Sequence, residues 1–373
     1  MTQEPGARQW WQGSAVRITA TYLLGVAFTS IGIIAQAQRS HIPLNKAFRR
    51  WDSGFYVSVA QHGYNLFFVT PSGYLKQNTT AFFPGYPLAI RLLANLLGWA
   101  GLTFRGAAWA INGGCGLAAL FVIAATVRHF YPEPAAVRTA QAVALFPGAA
   151  VLLFTYAEGL FLLLTTACVY AAVTRRWWWA GLAALAAGGT RANGLYLAVF
   201  LGLVALHAIW TRRNWLSLVA PALAPLGFAA YLGFVWWETG RPDEWFAVER
   251  YGWRQRNDFG AETIRVLTGP HPLDSGLLVL QLVGVGFLLL VAVLAVVRRT
   301  RLPGTLVTYT AVMVLPLLVA SRVGLRPRFL LPAFPLMVVA AQALRSWAFA
   351  AYCALSLGGL VWSGYVYVGH FPP

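Results

Sequence analysis

The chain has 373 residues, 58% of them hydrophobic and only 10% charged, with a mean hydropathy of +0.61. A soluble domain carries about 25% charged residues, so a soluble globular enzyme is excluded and a membrane protein is indicated. The formal charge of +17, from 28 Lys+Arg against 11 Asp+Glu, sits on arginines that punctuate apolar runs. Membrane topology and anionic headgroups explain that pattern better than nucleic acid does.

Cys115, Cys168 and Cys353 are widely separated within apolar runs and read as small core residues, with no disulfide or metal framework. Met1–Trp11 has no apolar core, so a retained first helix is expected and a cleaved signal peptide is not. The abundance of Arg, Ala, Gly and Leu points to a high-GC bacterial genome.

Apolar runs predict about eleven membrane segments. In chain order they centre on Val16–Ala35, Ala107–Val127, Ala140–Phe154, Gly159–Val173, Trp178–Gly188, Gly194–Ala208, Leu216–Trp237, Gly276–Val297, Thr305–Ala320, Phe329–Leu344 and Trp347–Val368. Several fall short of the roughly 20 residues a bilayer requires, so they tilt, thin the membrane or stop partway. With the N-terminus inside, each short inner connection is basic: Arg128 and Arg138, Arg175–Arg176, Arg212–Arg213, Arg298–Arg299–Arg301, and Arg345. That satisfies the positive-inside rule and places the C-terminus outside.

The same rule divides Trp178–Ala208 into two short helices broken at Gly188–Gly189–Thr190–Arg191. The expected architecture is one all-α transmembrane domain over residues 1–373. A first extracytoplasmic loop spans 36–105, with interfacial helices, and a second spans 238–275. No internal repeat is evident.

The first loop carries Arg49-Arg50-Trp51-Asp52-Ser53-Gly54-Phe55-Tyr56 and then His62-Gly63-Tyr64, with Asp52 its sole carboxylate. Ser53–Gln61 reads as a short amphipathic helix with Phe55, Val59 and His62 spaced to share a face. Asp52 can cap that helix or act as a general base on a hydroxyl, and the two roles can coexist. Ala81–Leu88 holds an aromatic turn between Pro84 and Pro87, followed by an interfacial helix.

Glu158 lies at a turn between short membrane helices, either solvated or aimed into a polar cavity. Arg191 and Asn193 occupy the outer break, a place where broken helices line substrate cavities; the alternative for Arg191 is snorkelling to lipid phosphate. Arg254, Arg256, Arg326 and Arg328 also fall outside. Guanidinium forks match phosphate, although attraction to anionic lipid would place arginines there too. There is no Walker loop, dinucleotide fingerprint, metal-spaced histidine pair or nucleophile elbow, and no Asp-x-Asp in the first loop. No cofactor or metal is expected.

The runs RRWDSGFYVSVAQHGY and FFPGYPLAIRLL resemble the first luminal loop of the PIG-V family, the second mannosyltransferases of glycosylphosphatidylinositol assembly, and their bacterial relatives. LFPGAAVLLFTYAEGLFLLL, TRANGLYL, GWRQR and RPRFLLPAFPL follow in the same order. Gly85 departs from a position where relatives often carry Leu.

The resemblance implies a GT-C-type polytopic helical bundle using a polyprenyl-phosphate sugar donor, typically mannose, on the outer face. It also implies that Asp52 is the essential carboxylate, with Trp51 its neighbour. The lack of a nucleotide-sugar fold agrees. Asp52 would take the proton of an acceptor hydroxyl, the phosphate would leave from the opposite face with inversion, and arginines would stabilise the leaving group.

Arg191, Arg254, Arg256, Arg326 and Arg328 are the expected phosphate ligands. Trp51, Tyr56, His62, Tyr64, Tyr86, Glu158 and Asn193 are expected at the sugar or acceptor. The expected partners are the lipid donor, a glycolipid, glycan or protein acceptor, and membrane lipids, with no nucleic acid. The expected location is the bacterial plasma membrane. A transporter or flippase of lipid-linked sugars is the alternative; it calls for related halves or intramembrane charge pairs, and the sequence presents neither.

Overall fold

A computed structural model describes residues 5–66, 77–255, 257–268, 276–320 and 324–369. These are almost entirely helical and, among them, the only β pairing is an isolated bridge between Asn257 and Ala320. Helix α1 (Pro5–Arg39) leads into α2 (Leu44–Ala47), α3 (Ser53–His62) and α4 (Gly85–Leu97), and then into α5 (Phe104–Arg128). Next come α6 (Glu133–Leu145), α7 (Glu158–Val173), α8 (Trp177–Gly188) and α9 (Tyr196–Arg212). The chain continues through α10 (Val219–Leu223), α11 (Leu226–Thr239), α12 (Glu244–Ala247), α13 (Ala261–Thr268) and α14 (Gly276–Val297). It ends with α15 (Gly304–Val319), α16 (Pro327–Leu330), α17 (Pro335–Ala343) and α18 (Ser346–Gly369).

All eleven predicted segments are at least partly helical, but among the described residues six helical stretches are long and apolar enough to cross a bilayer. The shortfall has a covalent cause at several points. Pro147 forbids its predecessor the helical region, and Phe146 accordingly sits at φ −56°, ψ 136°. The predicted Ala140–Phe154 helix is therefore α6 followed by a 3-10 turn over Pro147–Leu153, bent by 68°. Phe329–Leu344 is also divided, into α16 and α17, around Pro332 and Pro335, which lack the N–H that a continuous helix would use. The predicted break after α8 is present, and α9 is entered through a 3-10 turn over Ala192–Leu195.

Backbone groups freed by these breaks find partners inside the bundle, as a low-dielectric interior requires. The amide of Asn112, fully buried on α5, donates to the carbonyls of Val151 (3.1 Å) and Phe154 (2.6 Å). Its Oδ1 accepts from the N–H of Gly159 (2.5 Å). Trp109 Nε1 donates to Leu153 O at 3.0 Å. Any side chain at 159 would have its Cβ 1.9 Å from the Asn112 carbonyl oxygen, so only glycine lets α7 start against α5. The departure at Gly85 has the same kind of cause. Its N–H donates to Gly189 O (2.7 Å), and a Cβ there would lie 2.5 Å from Thr190 Oγ1.

α1 packs along α18, and α5 along α7. The basic connections gather at one end of the bundle: Arg138 donates to Leu344 O (3.3 Å) and Ser346 Oγ (2.9 Å), and Tyr131 Oη donates to Arg301 O (2.8 Å). The segment around Asp52, the α8–α9 break, the 240–257 segment and residues 324–328 converge at the other end.

Asn112→Ala should leave the buried Gly159 N–H unsatisfied, at about 1–3 kcal/mol, and remove the second bond from the Val151 and Phe154 carbonyls, which keep the N–H groups of Phe154 and Tyr156. A clearly lowered unfolding temperature of the detergent-purified protein is expected; an unchanged one would refute this account of how α7 is set.

Candidate active site

The converging segments enclose a cavity of about 850 Å³. Its wall begins with a strained turn. Trp51 adopts φ 60°, a left-handed conformation that bulky residues seldom take and that stores about 1–3 kcal/mol. Neighbouring contacts hold it: Trp51 Nε1 donates to Tyr367 O (2.8 Å), the Arg50 guanidinium lies 5.2 Å from its ring, and Tyr156 Oη donates to Arg50 O (3.2 Å).

The turn places Asp52 at the N-cap position of α3, yet its side chain makes no capping hydrogen bond. This corrects the capping reading. Asp52 Oδ2 instead faces Arg328 Nη2 at 3.8 Å, and the carboxylate, 21% exposed, lines the cavity. Burial raises its pKa, opposed by the Arg328 and Arg191 charges and reinforced by that of Glu158.

Behind the wall lies an ionic cluster. Arg328, buried on α16, donates through Nε to Glu158 Oε1 at 2.5 Å, and Arg191 Nη1 donates to the same oxygen. The Arg328 guanidinium also sits 4.9 Å from the Tyr156 ring and 5.1 Å from that of Phe329. Glu158 is 6% exposed, and its Oε2 has no hydrogen-bond partner. Glu158 is thus not solvated at the interface, and it does not line the cavity either: it is buried against the two arginines.

Asp52, Tyr56, Arg191, Asn193, Arg326 and Arg328 share the cavity lining. Several expected residues do not, each for a physical reason. Tyr86 is fully buried and donates to Ala108 O (2.7 Å). Tyr64 donates to Phe82 O (2.7 Å) and packs on Tyr231 and Phe234. Trp51 and His62 face a different concavity, so His62 is exposed and does not share the buried face of Val59. Glu158 acts on the two arginines from outside the lining. Arg254 lies beyond the lining, at a left-handed φ of 56°, and Arg256 lies outside the described residues.

The reading of the sequence missed Glu249 and Arg250, which enter the lining from a π-turn over Val248–Gly252. That segment is pinned by Trp253 against Phe55 and Phe82, and by Trp245 against Phe83. The N–H groups of Asp258 and Phe259 bond to Val319 O. Burial, with the Asp52 charge adding and Arg191 opposing, pushes the Glu249 carboxyl up to about 7. Glu249 is one of seven acids in the aperiodic 238–275 stretch, and nothing in their spacing singles it out. Among the described residues, no group of three or more His, Cys, Asp or Glu is placed to hold a metal.

The chain belongs to the family described as Mannosyltransferase (PIG-V), which matches residues 27–219, more than half of its length. Asp52, Glu158, Arg191 and Asn193 fall within the match. No curated protein matches the sequence significantly. The apo oligosaccharyltransferase of Archaeoglobus fulgidus is similar in structure, with a TM-score of 0.45 and 13% identity, over 93% of this chain and 55% of that one. The present chain thus spans about half the length of that structure, and a likeness this weak carries no argument about chemistry. Family membership and the six apolar spans together support an integral membrane protein of this family.

Glu158→Gln should destabilise the fold by about 3–5 kcal/mol, because it leaves two largely buried guanidiniums without their shared counter-charge. Thermal unfolding checks this. A silent substitution would mean that the cluster does not hold the site together.

Proposed function

We propose that the chain is an inverting mannosyltransferase of GT-C type that uses a polyprenyl-phosphate-mannose donor on the extracytoplasmic face. The observation that carries the reading is the pairing, in one cavity, of a weakly solvated carboxylate, Asp52, with the guanidiniums of Arg191, Arg326 and Arg328.

Asp52 takes the proton of the acceptor hydroxyl as that oxygen bonds to the anomeric carbon. The bond from that carbon to the phosphate oxygen breaks on the opposite face, and the departing phosphate keeps the electron pair. Arg191, Arg326 and Arg328 stabilise this charge through preorganised donors at the cavity wall. Tyr56, Asn193 and the ring of Trp253 provide surfaces for the sugar. Burial makes Asp52 a stronger base than an exposed carboxylate, and Arg328 keeps it from becoming too weak an acid to ionise.

Asp52→Asn preserves size, and no capping bond is lost. Transfer from polyprenyl-phosphate-mannose should fall by about 100-fold or more in protein that remains monodisperse and melts normally. Retained transfer would remove Asp52 as the base.

In the wild type, only ionised Asp52 accepts the proton, so kcat/KM should fall as pH drops. The midpoint should lie above the ordinary aspartate value of about 3.9. An acid limb at or below that value would contradict the burial argument.

The basic connections at the end remote from the cavity support this face of action. Cysteines placed at Asp243 and Arg299 should be labelled by impermeant reagents from opposite sides, with Asp243 accessible from outside. Labelling of both from one side would reverse the proposal.

A further inference from the structure

Trp51 and Ser53, on either side of Asp52 in sequence, open onto a second concavity of about 700 Å³, which runs along α3 from Ser53 to His62 between α2 and the start of α5. Its cationic lining is Lys46, Arg49, Arg50 and Arg105, and no carboxylate lines it. Burial, and then the neighbouring charge of Arg105, pull Arg49 below the ordinary arginine pKa. Like charges are thus held close with nothing negative between them, an arrangement that an anion would relieve.

Two buried donors add to this. Ser53 is 1% exposed, and its Oγ has no hydrogen-bond partner; Arg50 Nε is also buried without one. Buried polar atoms without partners are uncommon in folded proteins. The groove also contains Ser53 and Gly54, the first residues of α3; the N–H groups of Ser53 and Phe55 already bond to Arg50 O and Asp52 O, so the donors it offers are side chains.

The depth of the groove is set by α4. Arg91 on α4 donates to Ala60 O of α3 at 2.7 Å, so the two helices lie side by side. Leu88, Leu92 and Leu96, spaced four apart on α4, are all exposed, which marks a row facing lipid tails. Polar donors beside such a row sit at the level of headgroup phosphates.

The geometry points to a binding site for the phosphoryl headgroup of an anionic membrane lipid, held by Arg49, Arg50, Arg105 and Ser53, apart from the Asp52 cavity. A headgroup phosphate offers several acceptor oxygens, enough for these donors at once. The tails then run along the leucine row of α4.

The test is lipid retention by the full-length protein in detergent, read by native mass spectrometry with phosphatidic acid or phosphatidylcholine added. Because it reads retention and not sugar transfer, its outcome is independent of the role of Asp52. The wild type should retain phosphatidic acid over phosphatidylcholine. R49Q/R105Q should reduce retention about tenfold or more, R49K/R105K should largely preserve it, and Ser53→Ala should weaken it by a smaller factor.

Equal retention by wild type and R49Q/R105Q would overturn the site, as would equal retention of the two lipids. Displacement of the lipid by millimolar inorganic phosphate would overturn the lipid assignment and leave a free-anion site. Should R49Q/R105Q fail to fold, Ser53→Ala and the wild-type selectivity decide: loss of phosphatidic acid from Ser53→Ala upholds the site, and unchanged binding rejects it.

Discussion

One carboxylate oxygen, Glu158 Oε1, accepts from both Arg191 and Arg328, and the geometry of the candidate site depends on it. The three residues come from the start of α7, the α8–α9 break and α16, separated by 33 and 170 positions along the chain. Burying charges is costly, and a well-packed apolar trio of the same volume could be as stable or more so. What an apolar trio could not do is hold two guanidiniums at a cavity wall. Two positive charges against one leave a net positive wall, joined by Arg326 and Arg250 in the lining. A cavity of that character suits a phosphate that gains charge as it departs.

The carboxylates beside this wall differ in environment. Glu158 is committed to its arginines. Asp52 meets a single guanidinium at 3.8 Å and keeps its face to the cavity. Glu249 is held toward neutrality by burial and by the charge of Asp52. Two cavity-facing acids whose surroundings separate their protonation can carry different duties, one accepting a proton and the other offering a hydrogen bond.

Much of this was legible in the sequence. Hydropathy marked eleven apolar segments, whereas six helical stretches among the described residues are long enough to span a bilayer, and the basic connections divided Trp178–Ala208 at its glycines, where α8 ends. Asp52 was readable because it stands alone among arginines and aromatic residues, and Arg191, Asn193, Arg326 and Arg328 were readable as polar groups at the outer ends of helices. Tyr86 and Tyr64 were misplaced because a tyrosine that bonds a carbonyl in the core looks, in sequence, like one that receives a sugar. His62 was misplaced because one helical face cannot be told from its neighbour over three turns. Glu249 and Arg250 were missed because a π-turn has no hydropathy period; only the stacking of Trp245 and Trp253 fixes which of its side chains turn inward.

The shortness of α8 has a consequence for the proposed lipid substrate. Twelve residues reach about 18 Å along a helix axis, while the hydrocarbon layer is about 30 Å thick. α8 starts beside Arg175–Arg176 at the basic end, so its far end stops well short of the opposite headgroups, and the Gly189–Asn193 stretch at the cavity lies deeper than bulk lipid phosphate. On the proposed reading, the polyprenyl donor would have to dip its charged group below the headgroup plane to be used. That descent sorts molecules by their tails: a long, pliable isoprenoid can fold to follow its phosphate inward, whereas a phospholipid anchored by two stiff chains is held at its own level. Membrane depth then acts as a selectivity filter, set by the length of one helix.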